Sequence, residues 1–440
     1  MIAKHKHHEY GGIPIMSQPA IRPKIHFAPP RGWINDPNGL IYDGNVYHLF
    51  AQHNPDDTVW GPMHWLHATS SDLLHWKDHG IALYPCDLGT IFSGSAVIDK
   101  DNTAGFGKNA MVLIFTLHGD KQRQGIAYST DYEHFELYSG NPVIDNSGAV
   151  DFRDPKVFWD DERSRWAMVL AAGTCIECYH SPNLKDWKKS GEFGADLRVG
   201  NEIYECPDLF KLKAPNGKDI WVLLISFSGK VRYYIGEYDG NTFIETESAG
   251  KRLMLDQGFD HYAGTTFSGT DDRIYMHWAA DPHYAGDVPE CGYRGHLSLP
   301  RIFELADTLD GLRLAQKPMI SAEKDKDASL DIRLKASGPF MATAKNACGE
   351  CVCFGLCAQN ELFIDRREAG ESDAHGHMAQ PERAMKSVPR LKQGELDARL
   401  IIDGNVAELY MDGGVYQATL LCYPHSPYDQ IEIAGDAQQL

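Results

Sequence analysis

From Trp33 to Leu305 the apolar positions come in short runs broken by turn-forming residues, and the 3.6-residue periodicity of a long helix is hard to find. Val46–Phe50, Met111–Thr116, Ala167–Ala171, Trp221–Ser226 and Arg273–Trp278 read as strands. A short pattern recurs between them. Ser71-Asp72-Leu73-Leu74-His75-Trp76 returns as Thr130-Asp131-Tyr132-Glu133-His134-Phe135, as Pro182-Asn183-Leu184-Lys185-Asp186-Trp187, and more faintly as Tyr238-Asp239-Gly240-Asn241-Thr242-Phe243. Positions 72, 131, 183 and 239 are 59, 52 and 56 residues apart. Each copy reads as an Asx turn with an aromatic plug that ends a group of strands. Several strands repeated at that spacing are the signature of propeller blades. Four copies plus the segment from Tyr262 to Leu305 predict five.

After Pro300-Arg301 the pattern changes. Leu314–Pro318 reads as a linker and Glu323–Asp327 as a charged patch. Alternating runs follow at Leu330–Leu334, Cys351–Cys357, Glu361–Asp365, Ala398–Ile402, Ala407–Met411 and Val415–Leu421, with turns at Asp403-Gly404-Asn405 and Asp412-Gly413-Gly414. This predicts a small β-sandwich, with Gly370–Arg383 as a loop. The expected chain is all-β: a tail over 1–21, a five-bladed propeller carrying the catalytic residues over 22–313, and a C-terminal sandwich over 318–440.

Composition narrows the possibilities. At 440 residues the chain suffices for one large and one smaller domain. A net charge of −19 argues against nucleic acid as a partner, and nothing resembles an 18-residue apolar span, so no membrane partner is expected. Met1–Pro30 lacks the apolar core of a secretory signal, and translation starts at Met1 or Met16. With ten cysteines and no such signal, the expected location is the cytoplasm. The His5-Lys6-His7-His8 run reads as solvated tail. Cys348, Cys351, Cys353 and Cys357 lack a second half with zinc-site spacing and read as core packing in a strand. No metal or organic cofactor is expected.

The candidate chemistry lies in three carboxylates set in similar turns: Asp36 in Trp33-Ile34-Asn35-Asp36-Pro37-Asn38-Gly39, Asp154 in Arg153-Asp154-Pro155, and Glu205 in Glu205-Cys206-Pro207. Taken singly, such an Asp caps its own backbone and such a Glu makes a salt bridge. Their shared position, at the start of the first strand of blades one, three and four, directs all three into one funnel. Trp33 beside Asp36 offers the flat apolar face that a sugar ring needs. Hydrolysis of a glycosidic bond requires two carboxyl groups with opposite tasks, and Asp36 and Glu205 suit that pair. Asp154, beside Arg153, is expected to stay ionised.

These motifs resemble the signature of glycoside hydrolase family 32, the invertase, inulinase and levanase group. Phe50-Ala51-Gln52-His53-Asn54-Pro55, Trp60-Gly61-Pro62-Met63-His64-Trp65, Phe92-Ser93-Gly94-Ser95 and Tyr293-Arg294-Gly295 with Ser298-Leu299-Pro300-Arg301 extend the likeness, as do Glu361–Arg366 and Glu408-Leu409-Tyr410. The resemblance implies Asp36 as nucleophile, Glu205 as acid/base and Asp154 as transition-state stabiliser. It also implies a fructose pocket lined by Trp33, Asn35, Gln52, Trp60, Phe92, Ser93 and Arg153, to which Tyr262 and Trp278 are added. Retention of configuration would place the Asp36 and Glu205 carboxyls about 5–6 Å apart. Leu66, His53 and Tyr293 depart from the family pattern; Leu66 and the loop Asp281–Cys291 are expected to reshape the leaving-group side. The expected activity is exo-hydrolysis of sucrose or short fructo-oligosaccharides, by a monomer or homodimer. Alternatives are a fructosyltransferase, an arabinan-type hydrolase, a sucrose 6-phosphate hydrolase with Lys121, Arg123 or Arg232 on the phosphate, and a catalytically silent fructan binder.

Overall fold

The computed structural model describes residues 21–146, 148–195, 202–320, 328–371, 378 and 380–440. The His5–His8 run and the Glu323–Asp327 patch lie outside the described residues, as do 372–377 and 379 of the expected loop. Among the described residues there is no α-helix, and the chain is all-β, a five-bladed propeller followed by a sandwich.

Each blade is a four-stranded antiparallel sheet made from consecutive chain. Blade one comprises Gly32–Tyr42, Tyr47–Asn54, His64–Ser70 and Lys77–Leu83, and blade two comprises Thr90–Asp99, Ala110–His118, Gln122–Ser129 and Glu136–Leu137. Blade three runs through Phe152–Asp160, Arg165–Ala172, Cys175–Ser181 and Lys188–Phe193, and blade four through Glu205–Lys213, Asp219–Phe227, Lys230–Tyr238 and Phe243–Glu245. Blade five holds Tyr262–Thr266, Ile274–Trp278, Arg301–Thr308 and Gly311–Pro318. The five apolar runs conspicuous in the sequence are all second strands. Such a strand is flanked in its own sheet and covered on both faces by adjacent blades, so it reads as continuously apolar rather than alternating.

The first strands neighbour one another in a closed ring around the channel. Blade five meets blade one through Ser268, whose N–H donates to Leu40 O and whose carbonyl accepts from Tyr42 N–H. An excursion between the second and third strands of blade five adds Tyr293–Arg294 in parallel along the first strand of blade one.

The repeated Asx motif is a turn inside each of the first four blades, between the third and fourth strands, and not the end of a strand group. In every copy one side-chain oxygen accepts two backbone N–H groups, two and three residues on: Asp72 from Leu74 and His75, Asp131 from Glu133 and His134, Asn183 from Lys185 and Asp186, Asp239 from Asn241 and Thr242. The following residue, Leu73, Tyr132, Leu184 or Gly240, takes positive φ. The plugs Trp76 and Trp187 return an indole N–H to the carbonyls of Leu73 and Leu184. The turn persists because one acceptor satisfies two donors that the chain reversal leaves free.

Two expectations need correction. Leu314–Pro318 is not a linker but the end of the outermost strand of blade five, paired along its length with Arg301–Thr308. Its alternation of Leu314 and Gln316 with Ala315 and Lys317 is too short to distinguish from coil. Cys351 and Cys353 do form a strand, but they sit half-buried on its outer side, while Val352 and Phe354 fill the core.

In the sandwich, the 16-residue strand Leu330–Lys345 bends at Ser337-Gly338-Pro339 and belongs to both layers. Its first half pairs with Leu396–Asp403, which continues to Val406–Met411 and Tyr416–Leu421; its second half pairs with Cys351–Leu356, which continues to Glu361–Asp365 and Met385–Pro389. Gln430–Gln439 lies along the other edge of both halves. Ile332, Phe340, Phe354, Leu400 and Leu409 share one core between the layers.

Candidate active site

The site is built from one irregularity repeated five times. Near its start, every first strand carries a β-bulge in which two residues face one on the second strand. The bulged pairs are Asn35-Asp36, Phe92-Ser93, Asp154-Pro155, Cys206-Pro207 and Ala263-Gly264. A bulge re-aims side chains that a regular pleat would direct into the blade. The bulge falls on the first two residues of Asn35-Asp36-Pro37 and Phe92-Ser93-Gly94, and on the last two of Arg153-Asp154-Pro155, Glu205-Cys206-Pro207 and Tyr262-Ala263-Gly264. Asp154, Cys206 and Ala263, at the middle position, hold φ of +65°, +46° and +51°, a backbone state that non-glycine residues adopt at some cost. The third residue of each segment is Pro or Gly; a Cβ on Gly94 or Gly264 would stand 2.0 Å from Ile114 O or 1.9 Å from the Tyr275 hydroxyl oxygen, and the Gly94 N–H donates to Asn38 Oδ1 at 3.2 Å.

The first two residues of the first four segments, and Tyr262 of the fifth, line a cavity of about 350 Å³. All twelve residues expected from the sequence line it: Trp33, Asn35, Asp36, Gln52, Trp60, Phe92, Ser93, Arg153, Asp154, Glu205, Tyr262 and Trp278. Four further residues complete the wall, Val59, Cys206, Pro282 and Gly286. Cys206 was within reach of sequence reasoning, since it is the blade-four counterpart of Asp36 and Asp154. The loop Asp281–Cys291 does reach the cavity, through Pro282 and Gly286. Leu66 does not, contrary to expectation. It is buried among apolar side chains inside blade one, where strand alternation directs it away from the channel.

The polar groups are held in place by one another. Asp36 Oδ2 accepts from the Ser93 hydroxyl at 2.6 Å, and its Oδ1 accepts from Asn35 Nδ2 at 2.8 Å. Asn35 is oriented by Trp33 Nε1, which donates to its Oδ1 at 2.8 Å. Trp33 in turn meets Trp278 edge-to-face, with ring centres 5.8 Å apart. Asp154 Oδ2 accepts from Cys206 N–H at 2.9 Å. The Cys206 thiol lies between the two aspartates, its sulfur 3.7 Å from Asp36 Oδ2 and 3.5 Å from Asp154 Oδ2. Glu205 is gripped at both oxygens: Arg153 Nη2 donates to Oε1 at 2.9 Å and the Tyr262 hydroxyl donates to Oε2. Trp60 stands at the mouth, 55% exposed, edge-to-face with Phe92.

Three carboxylates and one guanidinium share this space, and the negative charges are not balanced. Burial pushes the Asp36 carboxyl up from its ordinary value, and the charge of Glu205 adds to the rise against the bonds from Ser93 and Asn35. Asp154 was expected to stay ionised beside Arg153. Burial instead outweighs the guanidinium and, with the charges of Glu205 and Asp36, pushes Asp154 up to about 7. Arg153 makes its hydrogen bonds to Asp151, Gln122 and Glu205 rather than to Asp154. Burial and the surrounding carboxylates raise the Cys206 thiol well above its usual range, which keeps it a neutral donor.

A cluster of three carboxylates at a propeller cavity, with aromatic walls and a donor on each acid, fits a glycoside hydrolase. Relatives agree. The description "Glycosyl hydrolases family 32 N-terminal domain" matches residues 26–318, and "Glycosyl hydrolases family 32 C terminal" matches 322–439. A levanase of Bacillus subtilis is 36% identical over 94% of this chain and 68% of its own length. An invertase of Debaryomyces hansenii is 41% identical over 64% of this chain, which spans 57% of that relative. Among solved structures, an exo-inulinase from Aspergillus awamori superposes with a TM-score of 0.88 at 28% identity, covering 96% of this chain and 97% of that one. A fructofuranosidase from Schwanniomyces occidentalis complexed with fructose gives 0.83 at 30% identity, covering 96% of each chain. The chain belongs to glycoside hydrolase family 32.

Proposed function

We propose that this chain is a retaining exo-β-fructofuranosidase acting on sucrose or short fructo-oligosaccharides. The observation that carries the reading is that Asp36 and Glu205 line one cavity, each held at both carboxylate oxygens by hydrogen-bond donors. Asp36, held by Ser93 and Asn35, attacks the anomeric carbon of a terminal fructosyl unit. Glu205 gives its proton to the departing sugar oxygen and then takes one from the water that releases fructose. Asp154, deeper beside the Cys206 thiol, holds fructose hydroxyls and stabilises the positive charge that develops on the ring. Hydroxyl donors from bound sugar would favour its ionised form.

The size and lining of the cavity support exo action on small substrates. About 350 Å³ lies at the low end for small-molecule sites, suited to a terminal sugar and its neighbour rather than to a stretch of polymer. The exposed Trp60 and Pro282 belong to the wall of that cavity. An unphosphorylated leaving group is favoured. Lys121 and Arg123 pair with Asp145, Arg123 also with Asp120, and Arg232 lies over Phe227 beside Glu202; none of the three lines the cavity. A reducing compartment is part of the same proposal, supported by ten free cysteines.

The test is a time-resolved product profile on sucrose, 1-kestose, sucrose 6-phosphate, inulin and levan. Early fructose alone, fastest from the unphosphorylated short substrates, is the expected result. Longer oligosaccharides as main products would make the chain a transferase, and fastest turnover of sucrose 6-phosphate would overturn the leaving-group assignment.

A further inference from the structure

Glu205 presents a physical difficulty. A general acid must carry a proton at the start of the reaction, yet its Oε1 sits 2.9 Å from a guanidinium, which favours the ionised form. The surroundings show what offsets this. The other side of the Arg153 guanidinium is taken by Asp151: Arg153 Nη1 donates to Asp151 Oδ1 and, at 3.4 Å, to Gln122 Oε1. Gln122 Oε1 also accepts Phe152 N–H at 2.7 Å, which fixes the strand start that carries Asp151 and Arg153. Asp151 and Glu205 therefore each hold the Arg153 guanidinium by a hydrogen bond, and the charge of Asp154 acts on the same cation.

We propose that Asp151 is a positioning residue: by sharing the Arg153 guanidinium it leaves Glu205 only part of that positive charge, and so allows Glu205 to enter the reaction as an acid. The inference rests on the acid/base reading of Glu205 and deepens it. Asp151 does not line the cavity. Its charge acts in the same direction as its hydrogen bond, because a nearby negative group also disfavours ionisation of Glu205. The other groups around Glu205 are Asp154 on blade three, Asp36 on blade one, the Tyr262 hydroxyl on blade five, and on its own blade the Cys206 thiol and the Glu202–Arg232 pair. None of these contacts the free edge of Arg153.

The test compares wild type, Asp151→Asn and Asp151→Glu by the pH dependence of kcat/KM on sucrose, with Glu205→Gln measured alongside. Asp151→Asn is near-isosteric at a position 24% exposed, and unchanged melting would show that the fold is kept. In Asp151→Asn one carboxylate is taken from the guanidinium that Glu205 shares. The alkaline limb should move down by about 0.5–1 pH unit, with a loss of roughly 3–10-fold in kcat/KM above it. An aryl β-fructofuranoside whose leaving group needs no acid should show no such shift, and Asp151→Glu should restore the wild-type limb on sucrose. An Asp151→Asn profile that superimposes on wild type, or that is lower at all pH values without moving, would overturn the proposal. Wild-type sucrose rates in Glu205→Gln would instead overturn the acid/base reading beneath it.

Discussion

Two regions of this molecule bury several charges, and they do so in opposite ways. In the channel, Asp36, Asp154 and Glu205 crowd together with Arg153 as the one cation among the residues lining the cavity, and the carboxyls of Asp36 and Asp154 are pushed up. At the contact between propeller and sandwich the charges are matched. Arg301, fully buried, meets Asp256 and Glu408, and donates to Gln316 Oε1 at 2.9 Å and Thr419 Oγ1 at 2.7 Å. His26 bridges Asp403 and Glu408, and Asp403 also accepts the backbone N–H groups of Lys24, Ile25 and His26. Arg366 reaches from the sandwich to Asp260, which also accepts from Tyr284. Burial alone would raise Glu408, but Arg301 and His26 hold it down at about 2; burial alone would lower His26, but Asp403 and Glu408 lift it to about 9. Around Glu408 and His26 the interface holds its charges, whereas in the channel burial pushes Asp36 and Asp154 toward the neutral form; Asp260 at the interface is pushed up as well, against the charge of Arg366. An unsatisfied cluster stays prepared to exchange protons and bind a developing cation, whereas a satisfied one serves to fix two domains together.

That contrast can be broken from either side, and the largest effect should come from the channel. Asp36→Asn should lower turnover on sucrose by roughly 10³-fold or more while the melting curve is kept or raised, because the loss is of a nucleophile and not of a structural partner. At the interface the reverse should hold. Arg301→Met leaves Asp256 and Glu408 buried without their cation and should cost about 3–5 kcal/mol in denaturant unfolding, with kcat little changed in the protein that remains folded. A variant that lost activity but not stability would place Arg301 in the catalytic machinery.

Smaller effects sharpen the comparison. Asp154 has a folded pKa raised to about 7 from near 3.8, so folding opposes its ionisation and its charge costs stability as pH rises through that window. Asp154→Asn should therefore melt a few degrees higher at pH 8 and no higher near pH 3.5, even as kcat falls. The matched pair sets the opposite limits. Glu408, depressed to about 2, contributes stability that is complete above about 4.5 and is lost as pH falls toward 2; His26, raised to about 9, contributes stability that is complete below about 6.5 and is lost as pH rises through 9. Scanning calorimetry across pH should show His26→Gln flattening the alkaline decline and Glu408→Gln the acid one.

Much of this was legible in the sequence, and the limits have physical causes. The Asx turns were visible because one chemistry, an acceptor two residues ahead of its donors, recurs in four blades. Asp36, Asp154 and Glu205 were visible because carboxylates one or two residues before a Pro are conspicuous. The bulge that unites them with Ser93 and Ala263 was not, because a backbone shape shared by segments as different as Phe92-Ser93-Gly94 and Glu205-Cys206-Pro207 leaves no repeated motif in the sequence. The matched interface escaped for another reason. Its partners are as far apart as His26 and Asp403, and buried charges read in sequence as surface charges until the fold brings them together. Gln430–Gln439 was missed because its alternation of Ile431 and Ile433 gives way to Gly, Asp and Gln, as an exposed outer strand permits.

The most direct test of the central claim, that Asp36 and Glu205 divide the chemistry between them, is intact and peptide mass spectrometry of Glu205→Gln after brief reaction with an aryl β-fructofuranoside. The good leaving group departs without an acid, and the missing base then delays hydrolysis. The account predicts one fructosyl unit attached to the protein and mapped to Asp36. Rapid burst release of the aryl group with the label on another residue, or steady turnover with no adduct and wild-type rates, would contradict it.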